Sequence, residues 1–201
     1  HSDGIDYYVT FDLINVGKLQ GEYIVKSLGL DEGKCPFNIE LFAGSPDDNN
    51  AHFFYEGAIN ELKPYLDSGQ LVVRSGQTNY NQMATQNWDG AVAQRRMDDI
   101  LSSSYGSETL HAVLAPNDAV ALGIVSSVRA FGYGTVDRPI PVITGQDAEA
   151  ASVKSIINGE QTMTVFKNTQ ELADVTVEMI TSIVRGQEVE VNDRDTYDNG
   201  S

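Results

Sequence analysis

The sequence has little sulfur, little positive charge and no long apolar run. Cys35 is the one cysteine in 201 residues. A single thiol excludes an intrachain disulfide and any paired-cysteine metal or redox motif. Lys and Arg number 13 against 29 Asp and Glu, for a formal net charge of −16. The one adjacent basic pair is Arg95-Arg96. Phosphate backbones and anionic bilayers are held by clustered basic side chains, so nucleic acid and acidic membrane are excluded as main partners. No apolar run approaches the ~20 residues of a membrane helix. No basic segment leads into an apolar stretch near His1, so a secretory leader is expected to be absent or already removed.

Catalytic signatures are missing too. There is no phosphate-binding GxxxxGK[ST], no GxSxG nucleophile elbow and no HExxH. Gly132-Tyr133-Gly134 falls between a helix and a strand, the wrong context for a dinucleotide. The three histidines, His1, His52 and His111, are far apart. Asp193 to Gly200 (DRDTYDNG) has neither the spacing nor the closing Glu of a calcium loop, and no metal or cofactor is expected. The composition, 41% apolar, is that of a folded chain.

Short apolar runs alternate with segments of helical period. The patterning predicts strands over 6–11 (DYYVTF), 38–43 (NIELFA), from 71 to 73, and over 111–115 (HAVLA), 140–144 (IPVIT) and 161–166 (QTMTVF). It predicts helices over 15–28, 50–65, 86–103, 118–131, 148–158 and 170–185, the last with Gly186 at its end. The apolar anchors of the first helix are read as Val16, Leu19, Tyr23 and Leu28, and Trp88 falls in the first turn of the third. Strand–helix alternation of this length means an α/β fold, a parallel sheet with helices on both faces.

Ligands of such sheets bind beyond the carboxyl ends of the strands. The residues found there are Gly44-Ser45-Pro46-Asp47-Asp48-Asn49-Asn50, Pro116-Asn117-Asp118, Gly145-Gln146-Asp147 and Lys167-Asn168. Carboxylates, carboxamides and one ammonium make a hydrogen-bonding rim suited to a polyhydroxylated ligand. Asp and Asn also close helix N-termini, so Asn50, Asp118 and Asp147 have a second reading as caps. Lys167 has one as a solvated surface lysine, and Trp88 as a core residue.

These stretches carry a resemblance. GSPDDNNA at 44–51, NWDGAVAQRRMDDIL at 87–101, APNDAVALG at 115–123 and TGQDAEAASVKSIINGEQTMTVFK at 144–167 resemble bacterial periplasmic monosaccharide-binding proteins of the type I periplasmic binding fold, as does DYYVTFD at 6–12. These are receptors of ABC sugar importers, and the likeness is to the xylose and multiple-sugar branch. The resemblance implies two lobes closing over one sugar, with a membrane permease as the next partner, no chemistry, and an extracytoplasmic location, periplasmic or lipid-anchored. It assigns 1–11 to the first crossing strand between lobes, 12–166 to the carboxyl-terminal sugar-binding lobe, and 167–201 to a crossing back with a helix and tail of the amino-terminal lobe. The chain is then expected to be a fragment, and the apolar face of the helix at 170–185 is expected to fold back or pair with another copy.

By the same resemblance Asp48, Asn49 and Asn117 hydrogen-bond sugar hydroxyls, Asp147 takes two, and Lys167 donates to one. Trp88 matches a tryptophan that stacks on the sugar in the galactose/glucose branch. Asp47 lies outside the expected contact set. His52 stands where that branch has a ligand-binding arginine, and the segment Leu30 to Lys34 is too short for that branch's calcium loop. The same fold also serves effector domains of sugar-responsive transcriptional regulators, the alternative reading.

Overall fold

A computed structural model of the chain describes residues 6–191. The expectations for residues 1–5 and for the tail from Asn192, including DRDTYDNG, lie outside the described residues. The chain divides into two units, one of Asp12–Phe166 and one made from both ends, His1–Phe11 and Lys167–Ser201.

The larger unit opens with α1 (Leu13–Leu28), whose first turn is closed by the Asp12 carboxylate accepting from Asn15 N at 2.9 Å. Then follow β1 (Phe37–Leu41), α2 (Asn49–Asp67), β2 (Leu71–Val73) and a short α3 (Tyr80–Met83). After these come α4 (Gly90–Ser104), β3 (Ala112–Leu114), α5 (Asp118–Ala130), β4 (Val142–Ile143) and α6 (Ala150–Ile157). The strands form one parallel sheet in the order β2-β1-β3-β4, with Phe37 opposite Leu71, Ile39 opposite Ala112, and Ala112 opposite Val142.

Successive strand residues point to opposite faces. Ile39, Leu41, Ala112 and Leu114 join Ile24 of α1 and Leu62 of α2 in one core. Val113 and Ile143 join Met97 and Leu101 of α4 and Ile124 of α5 in another. Helices thus cover both faces, as the alternation required. α1 and α2 approach so closely that a Cβ on Gly17 would lie 1.9 Å from Phe54 O, and one on Gly57 1.9 Å from Ile14 O. Because this contact runs along the glycines, Leu19 faces outward, 41% exposed, and is not the anchor that its spacing suggested. Glu40 of β1 faces the α4 side and is buried; it accepts from Tyr105 OH at 2.8 Å and Ser75 N at 3.0 Å.

Two expected strands are absent. Residues 7–11 form no ladder among the described residues, since a strand exists only through a partner. Residues 161–166 make a single bridge, Gln146 with Val165. There the side chain of Thr162 joins the backbone bonds, its Oγ1 accepting from Ile143 N at 2.9 Å and donating to Ile143 O at 2.8 Å, while Thr162 N donates to Ile143 O at 3.2 Å and Val165 N to Gly145 O at 3.0 Å. The expected helix over 86–103 begins only at Gly90, where Asp89 caps it by accepting from Ala91 N at 2.7 Å.

In the smaller unit, α7 (Thr169–Val184) is capped by Asn168 and buries none of its residues. Val177, Ile180, Ile183 and Val184 are exposed. A groove of about 650 Å³ runs beside it, lined by Tyr8, Phe11, Val175, Met179 and Val191 among others.

Candidate functional site

Because β1, β3 and β4 are parallel and adjacent, the chain leaves all three at the same sheet edge. Asp48 and Asn49 follow β1, Asn117 follows β3, and Asp147 follows β4. The topology therefore gathers four of the six expected contact residues along one rim.

Two of the four are also helix caps. Asp48 Oδ1 accepts from Asn50 N at 2.9 Å, and Asn117 Oδ1 accepts from Val120 N at 3.0 Å. Asn50 and Asp118, read as possible caps, lie instead inside the first turns of α2 and α5. A cap uses one acceptor atom. Among the described residues no other hydrogen bond engages Asp48 Oδ2 or Asn117 Nδ2, so capping and ligand binding are compatible at both positions.

Trp88 stands beside the first loop. It lies in a 3₁₀ turn (Gln86–Trp88), not in a helix, and both Asn87 and Trp88 have φ of 55°. Left-handed backbone at two successive non-glycine residues is strained and persists only where neighbours enforce it. Asn87 N donates to Ser45 Oγ at 2.9 Å, and Thr85 N donates to Ala43 O at 3.0 Å and Gly44 O at 3.1 Å. The indole packs on Gly44 and meets Phe54 edge-on, with ring centroids 6.4 Å apart. Ser45, Asp47, Asp48, Asn49, Asn87 and Trp88 line a shallow depression of about 420 Å³. Asp47, expected outside the contact set, is part of this lining and accepts from Ser45 Oγ.

The other two loops are tied together from below. Gln20 of α1 is 1% exposed, and its Nε2 donates to Pro116 O at 3.2 Å and to Gly145 O at 3.0 Å. Gln146 Nε2 donates to the same Pro116 O at 2.8 Å. Asp147 is exposed with φ of 100°, and Ala148 follows with φ of 52°. The cap position of α6 falls on Glu149, whose side chain makes no capping bond, so Asp147 is not a cap.

No group of three or more His, Cys, Asp or Glu could hold a metal ion among the described residues. His52 stacks on Tyr80 with ring centroids 4.4 Å apart.

The chain matches the periplasmic binding protein domain over residues 1–188. It belongs to the periplasmic binding protein family. Among its relatives are the multiple sugar-binding periplasmic protein SbpA of Azospirillum brasilense, 57% identical over 99% of this chain and 56% of SbpA. Another is the multiple sugar-binding periplasmic receptor ChvE of Rhizobium radiobacter, 55% identical over 100% of this chain and 56% of ChvE. The fold matches an ABC transporter solute-binding protein of Clostridium phytofermentans crystallised with β-D-glucose, with a TM-score of 0.92 and 46% identity, covering 100% of this chain and 61% of that one. The chain thus spans a little over half the length of the curated relatives it matches.

In this periplasmic binding protein chain, Lys167 falls in the smaller unit, with its ammonium 6.0 Å from the centre of the Phe11 ring. Sequence reading missed Gln20, which touches the loops from α1; Ser45 and Gln146 stood in the strand-end segments but were not singled out as the groups that hold them. Gln20 left a trace: it sits four residues after Val16 and four before Ile24, a polar side chain in an otherwise buried stripe.

Proposed function

We propose that this chain is the sugar-binding part of an extracytoplasmic receptor that delivers a monosaccharide, such as xylose, glucose or galactose, to an ABC importer. The reading is supported above all by the rim of Asp48, Asn49, Asn117 and Asp147 on one sheet edge. Side chains that combine acceptors with donors suit adjacent hydroxyls, and a rim fixed by buried hydrogen bonds is preorganised. Trp88 would give the apolar CH face of a pyranose a surface to stack on. The assignment of Lys167 rests on the resemblance alone. Relatives described as sugar-binding, and a neighbour crystallised with glucose, agree with a monosaccharide. The mechanism proposed is capture with hinge closure rather than bond-making.

Calorimetric titration of the full-length protein with xylose, glucose and galactose tests this. Asp147→Ala is expected to weaken binding by about 2–3 kcal/mol, because buried sugar hydroxyls lose a charged acceptor. Glu56→Ala, on the body of α2, is expected to change it by less than about 0.5 kcal/mol. No binding of any sugar, or equal effects of the two substitutions, would overturn the proposal.

A further inference from the structure

The residue after Asn117 is a carboxylate without solvent contact. Asp118 is 0% exposed and stands at the first position of α5. Neutral donors surround it. Glu149 N donates to its Oδ2 at 2.8 Å, and Gln161 Nε2 donates to its Oδ1 at 3.1 Å. Its own N–H donates to Gln146 O at 3.1 Å. Gly145 passes so near that a Cβ there would lie 2.3 Å from Asp118 Oδ1 and 2.5 Å from Gln161 Nε2.

These contacts fall on both sides of Asp147. Gln146 is held immediately before it and Glu149 two residues after it. Between the two anchors lie the left-handed pair Asp147 and Ala148, with φ of 100° and 52°. Asp147 N donates to Val165 O at 3.0 Å and Ala148 N to Thr164 Oγ1 at 3.1 Å, and such a pair persists only where its surroundings enforce it from more than one side. A carboxylate suits the task because it offers acceptors to two convergent N–H groups, and its charge is favoured at the N-terminus of α5. An acidic residue serving the helix alone would not need to bind Glu149 and Gln161, which are far away in sequence.

We infer that Asp118 is the positioning residue for Asp147: it clamps the strained turn so that the Asp147 side chain is set toward the rim before ligand arrives. This rests on the sugar-binding reading, in which Asp147 is a ligand. Asp118→Asn is the informative change. An amide supplies one acceptor where two donors converge, and turns an N–H toward the other.

Two measurements on the full-length protein test the inference. The first is amide hydrogen exchange without ligand: the Glu149 N–H is expected to exchange at least about tenfold faster in Asp118→Asn, with the α1 and α2 amides unchanged. The second is a double-substitution cycle read by calorimetry with D-glucose. Asp118→Asn alone is expected to weaken binding about tenfold or more, and to add almost nothing in the Asp147→Ala background, whereas it multiplies with Asn49→Ala. Unchanged Glu149 exchange, or factors that multiply in the Asp147→Ala background, would overturn it. If Asp118→Asn fails to fold, Gln161→Met removes one donor to the same carboxylate, and the same two outcomes decide. If the unaltered protein binds no glucose, the functional reading loses support and the exchange result decides the clamp.

Discussion

Gly44 and Trp88 occupy a space that admits no side chain on the glycine: a Cβ there would lie 2.1 Å from Cη2 of the indole. The backbone of the first loop is thus the seat of the ring. Gly44→Ala should lift the indole from that seat toward water. Stability should fall by only about 1 kcal/mol, the low end for overpacking, because what must move is the far end of one half-buried side chain. Trp88 is the only tryptophan, so fluorescence reads the displacement directly. The emission maximum should move to longer wavelength, and sugar affinity should fall with it. An unshifted spectrum would show that the seat does not fix the ring.

In the proposed function Asn117 has two separable roles, capping and binding. Its Oδ1 closes α5 while its Nδ2 remains available to a ligand. Asn117→Ala should lower stability by about 1 kcal/mol and also weaken sugar binding. Asn117→Ser keeps a capping oxygen and removes the amide donor. It should restore the denaturation midpoint but not the affinity. If affinity returns with stability, the residue serves the helix alone.

His111 makes stability depend on pH in one direction. Burial lowers its pKa from the ordinary 6.5, and its Nδ1 accepts from Asn38 N at 3.0 Å, a bond that protonation would break. The folded state therefore prefers the neutral ring. The stability is fully present above pH 6.5 and is lost as pH falls below it toward the lowered value, because the unfolded chain takes up the proton first. Urea midpoints measured from about pH 7.5 down to about pH 5.5 should decline more steeply for the unaltered protein than for His111→Gln. Parallel curves would assign the decline to the many carboxylates instead.

The helices were legible because their burial is periodic, and the central strands because a sheet covered on both faces buries them along their length, as at Asn38 to Leu41 and Ala112 to Leu114. The rim was legible because parallel strands all end on one edge. The failures have separate causes. The run at 161–166 alternates like a strand and does run beside β4, but the Thr162 hydroxyl takes up Ile143 N, and the backbone bonds that remain make only the single bridge of Gln146 with Val165. Residues 6–11 have strand composition, yet pairing is non-local and no composition supplies a partner. Helical spacing from Gln86 concealed the left-handed Asn87 and Trp88: Asn tolerates a positive φ, but nothing in a Trp within a helical pattern signals one. The supports beneath the rim were hardest to read, because hydrogen bonds from Gln20 cross 96 and 125 positions of sequence.

Gln20 allows those supports to be weighed. Its amide bridges Pro116 O and Gly145 O, but neither carbonyl depends on it alone. Pro116 O also accepts from Gln146 Nε2 at 2.8 Å, and Gly145 O from Val165 N at 3.0 Å. Gln20→Met keeps the volume and removes the donor, leaving each carbonyl one partner. The loss should be about 1–2 kcal/mol, near the lower end for a buried hydrogen-bonding group, since nothing is left wholly unsatisfied. Gln20→Glu should behave differently. At neutral pH it sets a carboxylate against two carbonyl oxygens at a site 1% exposed. Burial and those dipoles raise the pKa of the introduced carboxyl above its unfolded value of about 4.3. Protonated, it can donate to one carbonyl; ionised, it repels both. Its contribution is therefore present below about pH 4.3 and lost as pH rises through the raised folded value. Denaturant midpoints should place Gln20→Glu near Gln20→Met in acid and well below it at pH 7. If the two variants keep a constant separation across that range, the amide of Gln20 does not face the two carbonyls in solution, and the support assigned to it fails.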